Sequence, residues 1–473
     1  MRHGCLVQGK RVESDRWLPL VNPATGETFA SVSAAGAPEV EAALRSAEEA
    51  FDPWRALSAR RRTETLHALA EAVRRDRGNL ASLVSLEVGK PVHAALREVM
   101  STATTIDYFA EENLRMAGQI PLLGNARQHV FILRQPLGVV VAITPFNYPL
   151  STLACKLAPA LAVGCAVVAK PDEHAPLAAL RLAELALESG LPPGVFNVLT
   201  GSAETGKLLV DHPIPKLITF TGSTAVGKEI LAISARWVRK VVLELGGNCP
   251  AILCPDAPWR ELLPEFVRQS FNNAGQYCYR ISRIYTPRSF HADFLREFVR
   301  LASSLRVGSP EDSATDIGPL NNSHLLSSVS RQVEGAVSAG AAVELGGTPA
   351  RPSGGGFYYP PTILSGVRPE MAIMREEVFG PVTMVRPYED VEEAVREANA
   401  TPYGLAAYVF TKDTGRALDL VNRLDAGSVW INKVHQAYLE APFGGMKESG
   451  LGREKSRFGM EEFTELKTIY LSY

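Results

Sequence analysis

The chain has 473 residues, 46% of them hydrophobic and 21% charged, a composition typical of folded globular proteins and not of disordered or fibrous ones. Its formal net charge of -2 gives no general attraction to nucleic acid or to an anionic membrane surface, so we expect neither as a partner. No stretch is apolar for long enough to cross a membrane, and the amino terminus has no apolar signal core, so we expect a cytoplasmic protein.

The first part of the chain is predicted to be helical and the next part α/β. Between residues 38 and 113, apolar residues such as Val40, Leu44 and Ala47 recur at helical spacing. Short apolar runs then alternate with helical stretches; the runs are 138–143, 166–170, 195–199, 217–220 and 241–245. Continuous apolarity is typical of parallel strands covered on both faces, so we predict a doubly wound, Rossmann-like unit.

A second α/β block is predicted after Gly246. Its apolar runs are 251–254, 281–286, 382–386, 406–411 and 428–431, and helical patterns separate them. Residues 308–361, rich in Gly, Ser, Pro and Asn, are predicted to form loops around short helices. The tail, 462–473, alternates enough to be a strand that could pair with another subunit.

The six cysteines show no spacing of a metal or redox site. There is no CxxC pair and no HExxH helix, so we expect no bound metal. Scattered cysteines in a long chain fit a reducing compartment and a role in the core. A catalytic cysteine therefore has to be identified from its neighbours.

Two segments, 201–207 and 222–228, have the GxxxxGK spacing of a phosphate-binding loop. The next residue, which should be Ser or Thr to hold Mg²⁺, is Leu208 in one and Glu229 in the other, so ATP or GTP hydrolysis is not expected. The second segment follows a predicted strand and opens a helix, a suitable place for a phosphate group. An ordinary turn with a serine cap explains it equally well.

Other polar residues stand where predicted strands or helices end. Lys170 and Glu173 could bind ribose hydroxyls, or could form a solvated charged turn. Asn147, Glu244 and Cys278 could supply an amide donor, a base and a nucleophile. Their structural alternatives are a helix cap, a salt bridge and a core thiol.

Seven motifs decide between these alternatives, because they occur in one order across nearly the whole chain. They are TPFNYPL (144–150), KPDE (170–173), FTGSTAVGK (220–228), LELGGN (243–248), FNNAGQYC (271–278), EEVFGPV (376–382) and PFGGMKESGLGRE (442–454). With these motifs the chain resembles the NAD(P)-dependent aldehyde dehydrogenase superfamily.

The resemblance implies the catalytic roles. Cys278 resembles the nucleophile that adds to the aldehyde to give a thiohemiacetal, which becomes a thioester once hydride has left for the nicotinamide. Asn147, with the backbone N–H of Cys278, resembles the oxyanion hole. Glu244 resembles the base that activates water to hydrolyse the thioester. The expected reaction is oxidation of an aldehyde to a carboxylic acid.

The resemblance also implies a cofactor site for NAD, with NADP possible. The carboxylate of Glu173 would repel a 2′-phosphate, so we predict a preference for NAD over NADP. The residues implied in cofactor binding are Thr144, Phe146, Lys170, Glu173, Gly222, Ser223, Gly227, Leu245, Glu377 and Phe379.

A substrate pocket and an oligomer are implied as well. The residues expected to shape the pocket are Tyr148, Thr152, Tyr277, Tyr279, Lys433 and His435. Lys433 or His435 could hold an anionic substrate tail, although a solvated loop is the simpler interpretation. The family fold divides the chain into a cofactor domain (1–115 and 135–246), a catalytic domain (247–442) and a small β-flap (116–134 and 462–473) that joins subunits into a homodimer or homotetramer.

Three other functions compete with this one. A CoA-acylating aldehyde dehydrogenase lacks, in the family pattern, the base for which Glu244 is the candidate. A cofactor-free cysteine hydrolase would need a suitably placed histidine, and none stands in a motif. A non-enzymatic protein on the same scaffold would not need the catalytic positions that this sequence retains.

Overall fold

The computed structural model describes residues 1–124, 127–352, 354–436 and 438–473. Its first quarter holds five short strands and four long helices. The strands are β1 (Arg2–His3), β2 (Cys5–Val7), β3 (Lys10–Val12), β4 (Trp17–Val21) and β5 (Thr28–Ser33). The helices are α1 (Ala37–Arg55), α2 (Ala59–Arg75), α3 (Arg77–Val88) and α4 (Val92–Asn113). The helical prediction for residues 38–113 agrees with these four helices.

Alternating strands and helices follow and build the first large sheet. They are β6 (Gln128–Pro136), β7 (Val139–Ile143), α5 (Pro149–Val163), β8 (Ala166–Lys170), α6 (Leu177–Glu188), β9 (Phe196–Val198), α7 (Ala203–Val210), β10 (Leu217–Thr221), α8 (Thr224–Ala235) and β11 (Lys240–Glu244). Strands β11, β10, β7, β8 and β9 lie side by side in that order and are parallel. Every residue of β7 and β8 is buried, as expected for strands covered on both faces.

A second sheet is built from the next part of the chain. Its elements are β12 (Cys249–Leu253), α9 (Trp259–Phe271), β13 (Ile281–Pro287), α10 (His291–Ala302), α11 (Ser323–Ser338), β14 (Ala342–Leu345), β15 (Thr362–Ser365), α12 (Ala372–Arg375), β16 (Val382–Tyr388), α13 (Val391–Asn399), β17 (Tyr403–Gly404), β18 (Ala406–Phe410), α14 (Thr414–Arg423) and β19 (Ser428–Ile431). The strand order is β14-β15-β16-β13-β12-β18-β19, parallel except for β14. A 3₁₀ turn, Asn272–Gly275, follows α9.

The carboxyl-terminal part connects the two large sheets. It comprises β20 (Met446–Lys447), β21 (Gly450–Leu451), α15 (Ser456–Glu461) and β22 (Thr464–Ser472). Strand β21 lies antiparallel to β11 at the edge of the first sheet, and β20 pairs with β17. The α/β prediction with two sheets is confirmed, and the division into domains stays a prediction.

Three features differ from the sequence predictions or were missed. The prediction of short helices within 308–361 is wrong, because α11 has 16 residues and is capped by Asn322, whose side chain accepts a hydrogen bond from the backbone N–H of Leu325. Strands β2 and β3 were not predicted and extend the first sheet at its antiparallel edge. The predicted tail strand exists as β22, and it pairs along its length with β6 of the same chain.

Candidate active site

A cleft of about 510 Å³ opens at the carboxyl ends of the parallel strands of the first sheet. Strands β7, β8, β10 and β11 all end at this edge, because parallel strands bring their carboxyl ends together. Both sheets contribute residues, since Cys278 and Glu377 line the same cleft. Nine of the ten predicted cofactor residues line it: Thr144, Phe146, Lys170, Glu173, Gly222, Ser223, Leu245, Glu377 and Phe379.

The predicted phosphate segment forms the start of α8. Ser223 caps the helix, and its hydroxyl accepts a hydrogen bond from the N–H of Val226 at 3.4 Å. Gly222 packs on the ring of Phe220, where a Cβ would collide with the ring. Gly227 lies beneath Leu245, one of whose methyl groups would be 2.5 Å from an added Cβ. Packing of α8 against Leu245 therefore explains the glycine at position 227. Gly227 is not among the residues that line the cleft.

The end of the cleft at Lys170 combines charge with an apolar slot. The buried ammonium of Lys170 donates to the carbonyl of Pro171 at 3.2 Å, and burial lowers its pKa while Asp172 and Glu173 oppose that shift. Lys207 and Glu229 form an ion pair of 3.7 Å across the slot. The sequence analysis missed that pair and the apolar lining between α7 and α8, which consists of Val210, Val226, Ile230 and Ile233.

Two buried hydroxyls in the cleft have no hydrogen-bond partner among the residues that the structure describes. They belong to Thr144 and Thr221, at the ends of the adjacent strands β7 and β10. A buried hydroxyl without a partner is costly, so it indicates a polar ligand. Together with the apolar slot and the open amino terminus of α8, these hydroxyls fit a dinucleotide.

Glu377 and Phe379 lie at the inner end of the cleft. The carboxylate of Glu377 accepts a hydrogen bond from the N–H of Gly247 at 3.0 Å, and burial raises its pKa to about 7. The rings of Phe379 and Phe146 meet edge to face, with centroids 5.9 Å apart. Gly246 approaches so closely that a Cβ there would lie 2.6 Å from the Glu377 carboxylate. This end of the cleft is therefore narrow and aromatic.

The turn before Cys278 adopts a strained conformation. Asn273, Ala274 and Gly275 have φ values of 51°, 54° and 70°, in the left-handed region that non-glycine residues rarely occupy. The Gln276 side chain secures the turn by accepting from the N–H of Asn321 at 2.9 Å and donating to the carbonyl of Asn273 at 3.1 Å. Such strain, about 1–3 kcal/mol per residue, concentrates at functional sites.

Asn147, in the loop between β7 and α5 of the first sheet, contacts this turn. Its amide nitrogen donates to the carbonyl of Gln276 at 2.8 Å, while its own backbone carbonyl accepts from the ammonium of Lys90 at 2.9 Å. Lys90 is buried with Glu98 as an ion pair, and Glu98 also accepts from the N–H of Leu150 at 3.0 Å at the start of α5. The pair, which the sequence analysis missed, fixes the loop that carries Asn147.

The thiol of Cys278 lies among acidic groups in a buried setting. Burial raises the pKa of its thiol well above the usual range, and the nearby groups Glu377, Cys249 and Glu244 add to the shift. A thiol becomes an effective nucleophile only when its proton is removed. The thiol proton of Cys278 must therefore be removed before covalent chemistry begins.

Glu244 is the last residue of β11 and is buried, and it is not among the residues that line the cleft. Neither of its carboxylate oxygens has a hydrogen-bond partner in the described part of the chain. Burial raises its pKa well above the usual range, Glu454 adds to the shift, and Lys156 and Arg453 oppose it. Glu454 and Lys156 form a buried ion pair with each other. An unpaired, buried carboxyl group of this kind can take up and release a proton.

On the other side of Cys278, aromatic rings form a wall. Tyr279 stacks on His435 with centroids 3.9 Å apart and meets Tyr277 edge to face at 5.0 Å. Tyr148 lies under the ammonium of Lys90, 3.7 Å from its ring centroid. Thr152 stands one helical turn beyond Tyr148 on α5 and is half-buried.

The two candidates for holding an anionic tail differ in position. Lys433 is exposed and paired with Glu265 at 3.5 Å. Burial lowers the pKa of His435 to about 3, so its ring is neutral near pH 7. Ala437, in the same loop, lies outside the described residues. Neither candidate is a free cation facing the thiol.

Two searches of the described ranges concern metals and membranes. No group of three or more His, Cys, Asp or Glu side chains there could hold a metal ion. No described helix is both long and apolar enough to span a bilayer.

Comparisons with known proteins agree with this geometry. The model of the aldehyde dehydrogenase family matches residues 11–469. A mitochondrial succinate-semialdehyde dehydrogenase of Oryza sativa subsp. japonica is 43% identical over 98% of this chain and 88% of its own length. A 3-sulfolactaldehyde dehydrogenase of Pseudomonas putida is 37% identical over 100% and 97%. The crystal structure of an NAD-dependent aldehyde dehydrogenase from Sinorhizobium meliloti superimposes with a TM-score of 0.97 at 35% identity, covering 100% of this chain and 95% of that one.

The family model and the identities leave one assignment, and they do not favour the cysteine hydrolase or the CoA-acylating enzyme. The chain belongs to the aldehyde dehydrogenase family and, with NAD or NADP as cofactor, oxidises an aldehyde to the carboxylic acid.

Proposed function

We propose that Cys278 is the nucleophile, that the Asn147 amide and the Cys278 backbone N–H stabilise the oxyanion, and that Glu244 is the base. The observation that carries this assignment is the meeting of three chain segments at one end of the cleft. Asn147 donates into the turn that presents Cys278. Glu244 is close enough to add to the rise in the pKa of Cys278, and both of its oxygens are unpaired within the described residues. These links support one working unit.

In the first half-reaction, Cys278 loses its proton and its sulfur bonds to the aldehyde carbon. The aldehyde oxygen becomes an alkoxide, and the Asn147 amide and the backbone N–H donate to it. Burial raises the pKa of the Cys278 thiol, so its proton has to pass to the solvent before the sulfur attacks. The bound nicotinamide supplies the chemistry of hydride acceptance, which leaves a thioester on Cys278.

In the second half-reaction, Glu244 removes a proton from water and the resulting hydroxide attacks the thioester carbon. The same two donors stabilise the second oxyanion. The C–S bond then breaks, the acid leaves, and the sulfur recovers a proton. Gly444 leaves room for this carboxyl group, since a Cβ there would lie 2.9 Å from an oxygen of Glu244.

For the cofactor, we propose that α8 receives the pyrophosphate at Ser223 and that Lys170 and Glu173 hold the adenosine ribose. Glu377 is placed to accept from the nicotinamide ribose, with Phe379 packed beside it. Thr144, Phe146, Gly222 and Leu245 complete the walls, and Gly227 contributes by its packing under Leu245.

The preference for NAD over NADP follows from Glu173, and its removal is expected to weaken that preference. In Glu173→Ala, the ratio of kcat/KM for NADP to that for NAD should rise at least about tenfold, because a like charge beside the 2′-phosphate is lost. Steady-state absorbance of NADH and NADPH gives the two kcat/KM values from which the ratio is calculated. The matched control is Glu204→Ala, an exposed carboxylate on α7 that pairs with Arg16 at 2.7 Å. A wild-type enzyme that prefers NADP would contradict the charge argument.

The substrate class that the relatives support is an acidic aldehyde. The succinate-semialdehyde and 3-sulfolactaldehyde dehydrogenases are named for aldehydes that carry an acid group. The cytoplasmic location stays a prediction.

We also propose a homodimer or homotetramer joined through the β22–β6 ribbon. The ribbon exposes large apolar side chains, including Leu466 at 57% and Tyr470 at 69% of their surface, which is unusual for a free surface. Sedimentation equilibrium at micromolar concentration should therefore report a dimer or tetramer, and Leu466→Lys with Tyr470→Lys should shift it toward monomer. A monomeric wild type would exclude this interface. The control is Lys412→Met, a change at an exposed residue between β18 and α14.

A further inference from the structure

Lys455 is a half-buried cation beside the aromatic wall, and no function has been assigned to it. Its ammonium lies 4.9 Å from the ring centroid of Phe443. Within the described residues the ammonium makes no ion pair and no hydrogen bond; its one contact of this kind is with the Phe443 ring. A partly desolvated ammonium without a counter-ion gains stability when an anion arrives.

Two carboxyl groups lie near Lys455. Glu454 precedes it in the chain and pairs with Lys156. Lys455 is among the positive charges that oppose the rise in the pKa of Glu244, yet neither Glu244 oxygen has a hydrogen-bond partner within the described residues. In the described part of the chain, neither carboxylate therefore forms an ion pair with Lys455.

The backbone at Lys455 is strained, and this conformation fixes the direction of its side chain. Lys455 and Ser456 have φ values of 60° and 53°, in the left-handed region that favours glycine. The N–H of Ser456 donates to the carbonyl of Leu439 at 2.6 Å, and the N–H of Gly459 donates to the carbonyl of Lys455 at 2.8 Å. These bonds hold the strained pair in place, as is common where strain serves a binding site.

A continuous run of rings connects Lys455 with the thiol. The Phe443 ring meets the ring of Tyr279 edge to face at 5.8 Å, and Tyr279 is the residue after Cys278. His435 stacks on the same tyrosine and is neutral, and its pKa is lowered further by the positive charges of Lys455 and Arg268. The ammonium and the thiol thus stand at two ends of one aromatic wall.

We propose that Lys455 binds the acid group of the substrate and so selects short aldehydes that carry a carboxylate or sulfonate. This inference rests on the proposed function, because it takes Cys278 as the point where the aldehyde carbon is bound. The same charge disfavours aldehydes that carry a quaternary ammonium group, which an aromatic wall alone would attract. The contact is made equally in the ground state and the transition state, so its loss raises KM.

The test compares an acidic aldehyde with a neutral one of the same chain length. We measure kcat/KM for 4-oxobutanoate and butanal, with NAD, in the wild type, Lys455→Met and Lys455→Arg. The ratio of acidic to neutral kcat/KM should fall about 10- to 100-fold in Lys455→Met, mainly through KM, since a hydrogen bond to a charged group contributes about 1.5–3 kcal/mol. Lys455→Arg keeps the charge and should hold the ratio within a few-fold.

Two further lysine variants make the test specific. Lys412→Met removes an exposed charge between β18 and α14 and should leave the ratio unchanged. Lys433→Met tests the other candidate for the anion holder, and a fall in the ratio confined to it would overturn the proposal. Equal losses on both aldehydes in Lys455→Met would mean a structural role only, and would overturn it too.

The wild type decides the question if Lys455→Met does not fold. The order of kcat/KM should then be 4-oxobutanoate, butanal, and last an aldehyde bearing a trimethylammonium group; a preference for butanal or for the cation contradicts the proposal. Failure of the proposed function looks different, because no aldehyde of any charge would then yield NADH.

Discussion

Replacement of Cys278 by alanine is expected to abolish NADH formation from aldehydes, with a loss of at least about 10⁴-fold in kcat. Without the sulfur no thiohemiacetal forms, and hydride leaves only from the carbon of that intermediate. NADH absorbance measures the rate, and calorimetric titration with NAD shows that the cofactor site is intact. The Asn147 amide and the cleft residues remain in the variant, so NAD affinity should change little.

The control for this variant is another buried thiol. Cys165 donates its S–H to the carbonyl of Phe463 at 3.4 Å and lies in the core of the first sheet. Cys165→Ala should keep its catalytic rate and lose only some stability. If Cys278→Ala turned over aldehydes at the normal rate, the covalent mechanism would be excluded.

Glu244→Gln should form NADH once per active site and then stall. The amide cannot accept a proton from water, so the thioester accumulates while the first half-reaction still proceeds. Steady-state turnover should fall about 10²- to 10⁴-fold, the usual contribution of a general base. Rapid-mixing absorbance at 340 nm is the measurement, and the burst amplitude should approach one NADH per subunit.

Two additions separate the possible causes of the stall. Hydroxylamine, a nucleophile that needs no general base, should discharge the thioester and restore turnover. CoA should not, and restoration by CoA would favour the CoA-acylating alternative. Glu87→Gln is the matched control, because the Glu87 carboxyl is also buried but accepts from the N–H of Ala178 at 3.1 Å at the start of α6. A loss of the burst itself in Glu244→Gln would place Glu244 in the first half-reaction.

The fold was predictable where burial imposes one pattern. Strands β7 and β8 are apolar at every position, since helices cover both faces of the sheet. Helix α11 was missed because three of its 16 residues are buried, and five serines give it the composition of a loop. The serines face outward or bond within the helix; Ser327, for example, donates to the carbonyl of Ser323 at 2.9 Å.

The candidate catalytic residues could be predicted from the sequence, but the ion pair that holds the Asn147 loop in place could not. Asn147, Glu244 and Cys278 stand at the ends of regular elements, and such positions can be recognised from sequence. Lys90 and Glu98 act from a distant part of the chain, and nothing local indicates that they pair. One signal was available: Lys156 interrupts the apolar sequence of α5, and a charge in a largely buried helix requires a partner.

The central claim is that an acyl group passes through the sulfur of Cys278, and mass spectrometry of the stalled enzyme tests it most directly. Glu244→Gln is mixed with NAD and an aldehyde, quenched in acid and digested. We expect the peptide containing Cys278 to gain the mass of the acyl group. The amount of modified peptide should equal the amount of NADH formed in the burst. A burst with an unmodified Cys278, or with the acyl group on another residue, would contradict it.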